Sequence, residues 1–442
     1  MRKPEDIFAA RVPRYTSYPT APHFHAGIGA DVYRTWLGEC DPGLPLSLYV
    51  HIPFCDTLCW FCGCHTRVVN AYGPVAAYLD LLYREMELVT EALGARRRVS
   101  HIHWGGGSPT LLQPADIRRL SAVLHDFFAV EDGAEFAIEI DPRGFTAATA
   151  EALAEAGLTR ASIGVQDYAP QVQRAINRLQ DAATTAHCVR LLRANGIDRL
   201  NIDLIYGLPH QTTEGLIRTI DAVLELAPDR LAVFGYAHVP AFKKHMALIP
   251  EAALPGIAER YRQSETARAR LLAAGYVAIG LDHFARPSDP MARALAAGKL
   301  SRNFQGYTTD DAQVLLGFGA SAIGSLPQGY VQNLSDVPAW RAAIRGGALP
   351  IARGVALSAD DRLRRDIIGA LMCNLSVDLA AVSAAHHLAP PARPPALDTL
   401  AAEGAVTIDG STIKVTERSA VRLACAAFDA YLGGAGGHSS AI

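Results

Sequence analysis

"LSLYVHIPFCDTLCWFCGC", Leu46 to Cys64, runs from an apolar segment straight into four cysteines. Its first seven residues are leucine-rich, aromatic and β-branched, which predicts a buried strand over 46–52. Cys55, Cys59, Cys62 and Cys64 follow as C-x3-C-x2-C-x-C on the loop that leaves the strand, half of the chain's 8 cysteines. Thiolates are soft ligands, so iron–sulfur, zinc and copper are all open. A structural zinc site draws its ligands from two separated pairs, and four thiols in one short loop with aromatics between them are cramped for it. Three thiolates at x3 and x2 spacing can instead wrap three corners of a [4Fe–4S] cube and leave the fourth iron free for a substrate or cofactor.

Outward from that loop the pattern repeats. Strands are predicted at "HIHW" (101–104), "EFAIEI" (135–140), "RASIGV" (160–165), "RLNIDLIYG" (199–207) and "RLAVFGYA" (230–237), with a weaker one at "YVAIGL" (276–281). Between them lie stretches such as "AAYLDLLYREMELVTEAL", apolar at helical spacing. This alternation predicts an α/β fold with a parallel sheet and crossover helices, open or closed into a barrel, with its chemistry at the carboxyl ends of the strands. We divide the chain into an N-terminal arm (1–30), a catalytic domain (31–325) and a mostly helical C-terminal domain (326–442). In the last, "DDRLRRDIIGALMC" and "TERSAVRLACAAFDAYL" read as helices, "LAPPARPPALDTL" as a connector, and "GAVTIDGSTIKVTE" as a hairpin turning at Asp409 and Gly410. The end, "LGGAGGHSSAI", is small and polar and is expected to be mobile.

Bulk composition narrows the classes. Of 442 residues 50% are hydrophobic and 19% charged, the profile of a globular enzyme, and a net charge of −3 argues against nucleic acid as a partner. No long apolar run predicts a membrane span, and "MRKPEDIFAARVPRYTSYPT" lacks a secretory core, so a cytoplasmic location is expected, where thiols stay reduced. Cys40, Cys188, Cys373 and Cys425 are isolated, and packing accounts for them.

C-x3-C-x-aromatic-C, with Phe61 before the third cysteine, resembles the radical S-adenosylmethionine (SAM) superfamily. The likeness extends further. "RYTSYPT" (14–20), "YVHIPFC" (49–55), "HWGGGSPT" (103–110), "IEIDPR" (138–143), "GVQD" (164–167), "NRLQ" (177–180), "NIDLIYGLP" (201–209), "DHFARP" (282–287) and "RNFQGYTT" (302–309) together resemble the oxygen-independent coproporphyrinogen III oxidases. That resemblance implies a partial (β/α) barrel and the conversion of two propionates of coproporphyrinogen III to vinyl groups. It also implies a 5′-deoxyadenosyl radical made from SAM, and electrons exchanged with a donor and an acceptor that the sequence does not identify. It implies a monomer.

By the same resemblance, Cys55, Cys59 and Cys62 hold the cluster. Tyr49, Gly106, Glu139 and Ile323 meet a first SAM, and Phe61, Gly107, Ser108, Gln166, Arg178, Asp203 and Ala237 a second. Ser108 stands where the family more usually has threonine, an exchange that keeps the hydroxyl. Without the family, Tyr49 reads as a half-buried strand-end aromatic, Arg178 as a solvated helix residue, and Ala237 and Ile323 as core. Glu139 and Asp203 are stronger, because each sits inside an apolar run where a charge needs a partner. Cys64 follows the last ligand by two residues and is assigned a role beside the cluster, tuning it or its radical chemistry. The substrate's propionates call for basic or amide groups, for which His283, Arg286, Arg302, Asn303 and Gln305 are candidates, all in runs that read as loops. Two alternatives share the cluster motif: a haem chaperone, and a radical SAM enzyme that methylates or opens haem.

Overall fold

A computed structural model describes residues 7–432; the expectation of a mobile C-terminal end falls mainly beyond them. The predicted strands all form, three of them longer than their sequence signal and three shorter. They are β1 (Leu46–Ile52), β2 (Arg98–Gly106), β3 (Ala129–Ile140), β4 (Arg160–Gln166), β5 (Arg199–Tyr206), β6 (Arg230–Gly235) and a three-residue β7 (Val277–Ile279). Five more complete the sheet: β8 (His283–Ala285), β9 (Val314–Phe318), β10 (Ile323–Leu326), β11 (Gly329–Asn333) and β12 (Ile351–Ala356).

All 12 strands belong to one sheet in the order β12-β11-β10-β9-β1-β2-β3-β4-β5-β6-β8-β7. From β9 through β6 every neighbouring pair is parallel, and the outer pairings on both sides are antiparallel. β12 and β7 remain separate edges, so the sheet curls without closing. This is the partial barrel expected. Crossover helices cover its outer face and account for the apolar runs of the parallel strands. Helix Gly73–Leu93 is an example: it starts with proline in its first turn, stops at Gly94 in the left-handed region (φ 70°), and buries Val75, Leu79, Leu82, Met86 and Val89 against the sheet.

Several expectations need correction. "DHFARP" and "RNFQGYTT" read as loops, yet His283 lies in β8, and Arg302 and Asn303 lie in a small hairpin of Ser301–Asn303 with Gly306–Thr308. β11 and β12 carry the sheet to Ala356, past residue 325, where the sequence placed the end of the catalytic domain. The connector at 388–400 includes the start of helix Pro395–Ala402, and the last predicted helix is confined to Val421–Ala427 after a 3-10 turn.

The C-terminal layer is built on helix Ala359–Asn374, opened by a Ser358–Asp361 capping box. The predicted hairpin, Val406–Asp409 with Thr412–Val415, pairs with Ser376–Asp378 in a three-stranded sheet. The arm packs on the C-terminal layer. Ile7, Tyr15 and Tyr18 are buried in the core of the C-terminal layer. The four isolated cysteines are buried too.

Candidate active site

The cysteine loop leaves β1 and turns back across the carboxyl ends of β2 to β6. Cys55, Cys59, Cys62 and Cys64 line one cavity of about 280 Å³ together with Phe61. Its far wall carries Gly106, Gly107 and Ser108 after β2, Glu139 on β3, Gln166 on β4, Arg178, and Asp203 on β5. Most of the residues expected around the cluster and SAM are thus brought together. Tyr49, Ala237 and Ile323 are not on this wall. Ile323 packs beside Phe24 and Tyr330. The Tyr49 hydroxyl bonds His51 Nδ1 at 3.0 Å, and its ring stacks 5.8 Å from that of His103.

Among the described residues no group of His, Cys, Asp or Glu is arranged around a single metal ion. The donor set suits an anionic cube better, since each of the three sulfurs has a polar group beside it. Cys55 Sγ lies 3.0 Å from Thr66 Oγ1, and Cys62 Sγ accepts the Cys64 N–H at 3.4 Å. Cys59 Sγ is approached at 3.6 Å by Arg143 Nη2 and at 3.6 Å by Arg178 Nη1. Burial pushes the Cys55 thiol up to about 11, whereas the hydrogen bond from the Cys64 thiol, ahead of that from its N–H, pulls Cys62 down to about 7. The surroundings of these sulfurs therefore fit a [4Fe–4S] cluster, for which Cys55, Cys59 and Cys62 are the residues that could hold it.

The same two arginines clamp Asp141, Arg143 Nη2 at 2.6 Å and Arg178 Nη1 at 3.2 Å. Burial raises the Asp141 carboxyl, but the guanidinium pair outweighs it and holds the group below the usual carboxylate range. Arg178 also donates to Gly164 O at 2.7 Å and is 6% exposed, so it is no solvated helix residue. Asp141 and Arg143 were missed as site residues although "IEIDPR" contains both. Arg143 reaches Cys59, 84 residues away, and holds Asp141 beside it.

Glu139 accepts the Gly106 N–H at 3.1 Å and meets His103 Nε2 at 3.4 Å. Burial raises its carboxyl, and these partners more than reverse the shift. Asp203 differs. It accepts only neutral donors, Ser162 Oγ at 2.9 Å and Asn201 Nδ2 at 2.8 Å, and burial leaves its carboxyl raised. Gly106 has φ 115°, and a Cβ there would lie 2.6 Å from the His51 ring. Glycine is required at that point by the protein itself. Burial lowers the His51 imidazole to about 4, so near neutrality it is an uncharged ring held between Tyr49 and the His65 carbonyl.

A second cavity of about 240 Å³ lies inside the curl of the sheet and shares Glu139, Ser162, Asp203 and Phe234 with the first. His283, Asn303 and Gln305 line it. Arg302 lies behind, with its guanidinium over the Tyr307 ring at 4.5 Å. Arg286 points elsewhere: its Nε bonds Pro228 O at 2.9 Å, and its guanidinium sits over Tyr276. It is a structural residue at the sheet edge.

Comparison with known proteins agrees with this geometry. Residues 49–223 match the model of the radical SAM superfamily. An oxygen-independent coproporphyrinogen III oxidase of Bradyrhizobium diazoefficiens is 51% identical over 427 residues, covering 96% of this chain and 95% of that protein. The enzyme of the same name from Escherichia coli K12 is 42% identical over 429 residues, covering 95% of this chain and 93% of its own. The solved structure of the Escherichia coli coproporphyrinogen III oxidase, described as a radical SAM enzyme, superposes with a TM-score of 0.91 at 39% identity, over 96% of this chain and 100% of that one. With identity of this order across nearly the whole length, and the cysteine loop facing the strand ends in the described fold, the chain belongs to the oxygen-independent coproporphyrinogen III oxidases of the radical SAM superfamily.

Proposed function

We propose that the protein carries out the oxygen-independent oxidative decarboxylation of coproporphyrinogen III to protoporphyrinogen IX, a step of haem biosynthesis. The observation that carries this reading is the continuity of the two cavities. The wall that suits a three-cysteine cluster and SAM opens, through Glu139 and Asp203, into a lumen large enough for a propionate arm.

A cluster held by Cys55, Cys59 and Cys62 supplies, when bound with SAM, the electron that makes the 5′-deoxyadenosyl radical. The chain's own residues do the placing. Cys64 lends its thiol and its N–H to the Cys62 sulfur, stabilising it as a thiolate. Glu139, ionised and already aligned by the Gly106 N–H and His103, offers its oxygens to the ammonium or ribose hydroxyls of the first SAM, with Tyr49 acting through His51 and His103. Gly107 and Ser108, Gln166, Arg178 and Asp203 form the part of the wall suited to a second SAM, with Phe61 across from them. Enclosure by the sheet keeps water away from the radical. In the lumen the propionate β-carbon would give up a hydrogen atom to that radical; release of CO2 and passage of one electron to an acceptor would then leave a vinyl group. The protein acts as a monomer, with a donor and an acceptor supplied by other components.

The test is anaerobic turnover of reconstituted protein with reductant, SAM and coproporphyrinogen III. CO2 and a product lighter by two carboxyl groups are expected. Unchanged substrate in the presence of an intact, SAM-cleaving cluster rejects the reading.

A further inference from the structure

Beyond the lumen the space widens again. Asn303, Thr308, Asp310 and Leu315 line both the inner cavity and a third one of about 550 Å³. This outer cavity lies between the small hairpin, arm residues Tyr15–Tyr18 and one face of helix Ala359–Asn374. That face presents Arg362, Arg365 and Gly369, spaced i, i+3 and i+7, which is one stripe of a helix.

Gly369 is the unexpected member. Glycine within a helix costs about 0.5–1 kcal/mol relative to alanine. Packing gives no reason for it here, since a Cβ at this position meets nothing within 4 Å. The room beside the helix is left by the protein and is not filled by it. The arginines beside that room are only partly engaged by the chain. Arg362 Nη1 donates to Leu357 O at 2.7 Å; Arg365 bonds the Tyr330 hydroxyl and, through Nε, Asp366 Oδ1 at 3.1 Å, an acid that His386 also holds at 2.8 Å. From the opposite wall Arg302 bonds the carbonyls of Arg14 and Tyr15, and its Nη1 is buried without a partner. Of the other acids here, Asp310 is already taken up by Ser47 at 2.5 Å and the Ala312 N–H at 2.9 Å, while Asp311 adds one negative charge. Tyr18, Phe304 and Tyr330 give the cavity aromatic walls.

An aromatic-walled space bordered by guanidiniums, with a glycine-cleared stripe of helix, fits a bulky, multiply carboxylated macrocycle whose individual pyrrole faces are flat and apolar. Resting on the functional reading above, we propose that the outer cavity seats the tetrapyrrole, that Arg362 and Arg365 grip the propionates that are not reacting, and that Gly369 clears space for the ring edge. The reacting propionate then reaches the lumen through the gap bounded by Asn303, Thr308, Asp310 and Leu315.

The experiment is steady-state turnover of anaerobic holoenzyme across coproporphyrinogen III concentrations for the parent, Arg362→Gln, Arg365→Gln and Gly369→Leu. Thermal unfolding and iron content are recorded for each. Each variant should raise KM about tenfold to a hundredfold, the loss of a charge-assisted contact or of ring space, with a smaller change in kcat. Gly369→Ala should unfold no earlier than the parent, because its methyl meets no protein atom. A parent that turns over while Arg365→Gln and Gly369→Leu, iron-loaded, keep KM within about twofold overturns the seat alone. A parent that cleaves SAM but leaves coproporphyrinogen III intact overturns the functional reading, and the seat with it.

Discussion

Cys55, Cys59 and Cys62 each have a hydroxyl, guanidinium or backbone N–H within reach of the sulfur, whereas Cys64 turns both its thiol and its N–H to Cys62. Replacing any of the three with alanine should abolish bound iron after reconstitution, while Cys64→Ser should keep the parent's iron and sulfide content, measured chemically. Gly106→Ala should cost about 2 kcal/mol or more, because its Cβ meets the His51 ring and its φ is in the region that side chains avoid; denaturant unfolding of the metal-free chain checks this. The cysteines and the glycine turn were legible because their spacing is a local property. The second task of Arg143 and Arg178, flanking Cys59 while holding Asp141, was not, since it depends on chain segments meeting after folding.

Helix Gly73–Leu93 packs outside the sheet, yet it fixes a loop next to the site. Its Glu85, 1% exposed, accepts the Gly319 N–H at 2.8 Å, Asn333 Nδ2 at 2.6 Å and Trp340 Nε1 at 3.2 Å, and Tyr78 receives the Ala320 N–H. Burial pushes the Glu85 carboxyl up to about 8 from its usual 4.5, although these donors oppose the shift. Across that window the unfolded chain has released the proton and the folded chain still holds it. Stability therefore falls as pH rises from about 4.5 to about 8. Unfolding of the metal-free protein at several pH values should show this slope, and Glu85→Gln should flatten it. Glu85→Ala should cost about 3 kcal/mol by stranding buried donors. The parallel strands were readable from their long apolar runs. β8 to β11 were hidden because they are short, and "IGSL", "GYVQN" and "IARGVA" break the apolar pattern with polar residues and with glycines at positions where neighbouring strands crowd them.

Across the whole molecule, the arm joins the two layers. Tyr15 and Tyr18 enter the C-terminal core, the Tyr15 hydroxyl reaches Asp429 at 3.0 Å, and Arg422 holds the Val12 carbonyl at 3.3 Å. Deleting residues 1–20 should speed amide exchange in helix Ala359–Asn374 by about tenfold or more, with less effect in β1 to β6. No helix among the described residues is long and apolar enough to cross a membrane. The division into sheet and C-terminal layer was visible in the change of pattern along the chain; the return of the arm to the far layer was not, because "RYTSYPT" has no periodicity to betray what it packs on. The central claim is that three cysteines hold a cluster whose remaining corner takes SAM. Its most direct test is EPR of the anaerobically reconstituted, reduced protein before and after SAM is added. A [4Fe–4S] signal that changes on adding SAM, and is absent from Cys59→Ala, is the predicted result. A parent protein that binds only zinc, or a cluster signal indifferent to SAM, contradicts it.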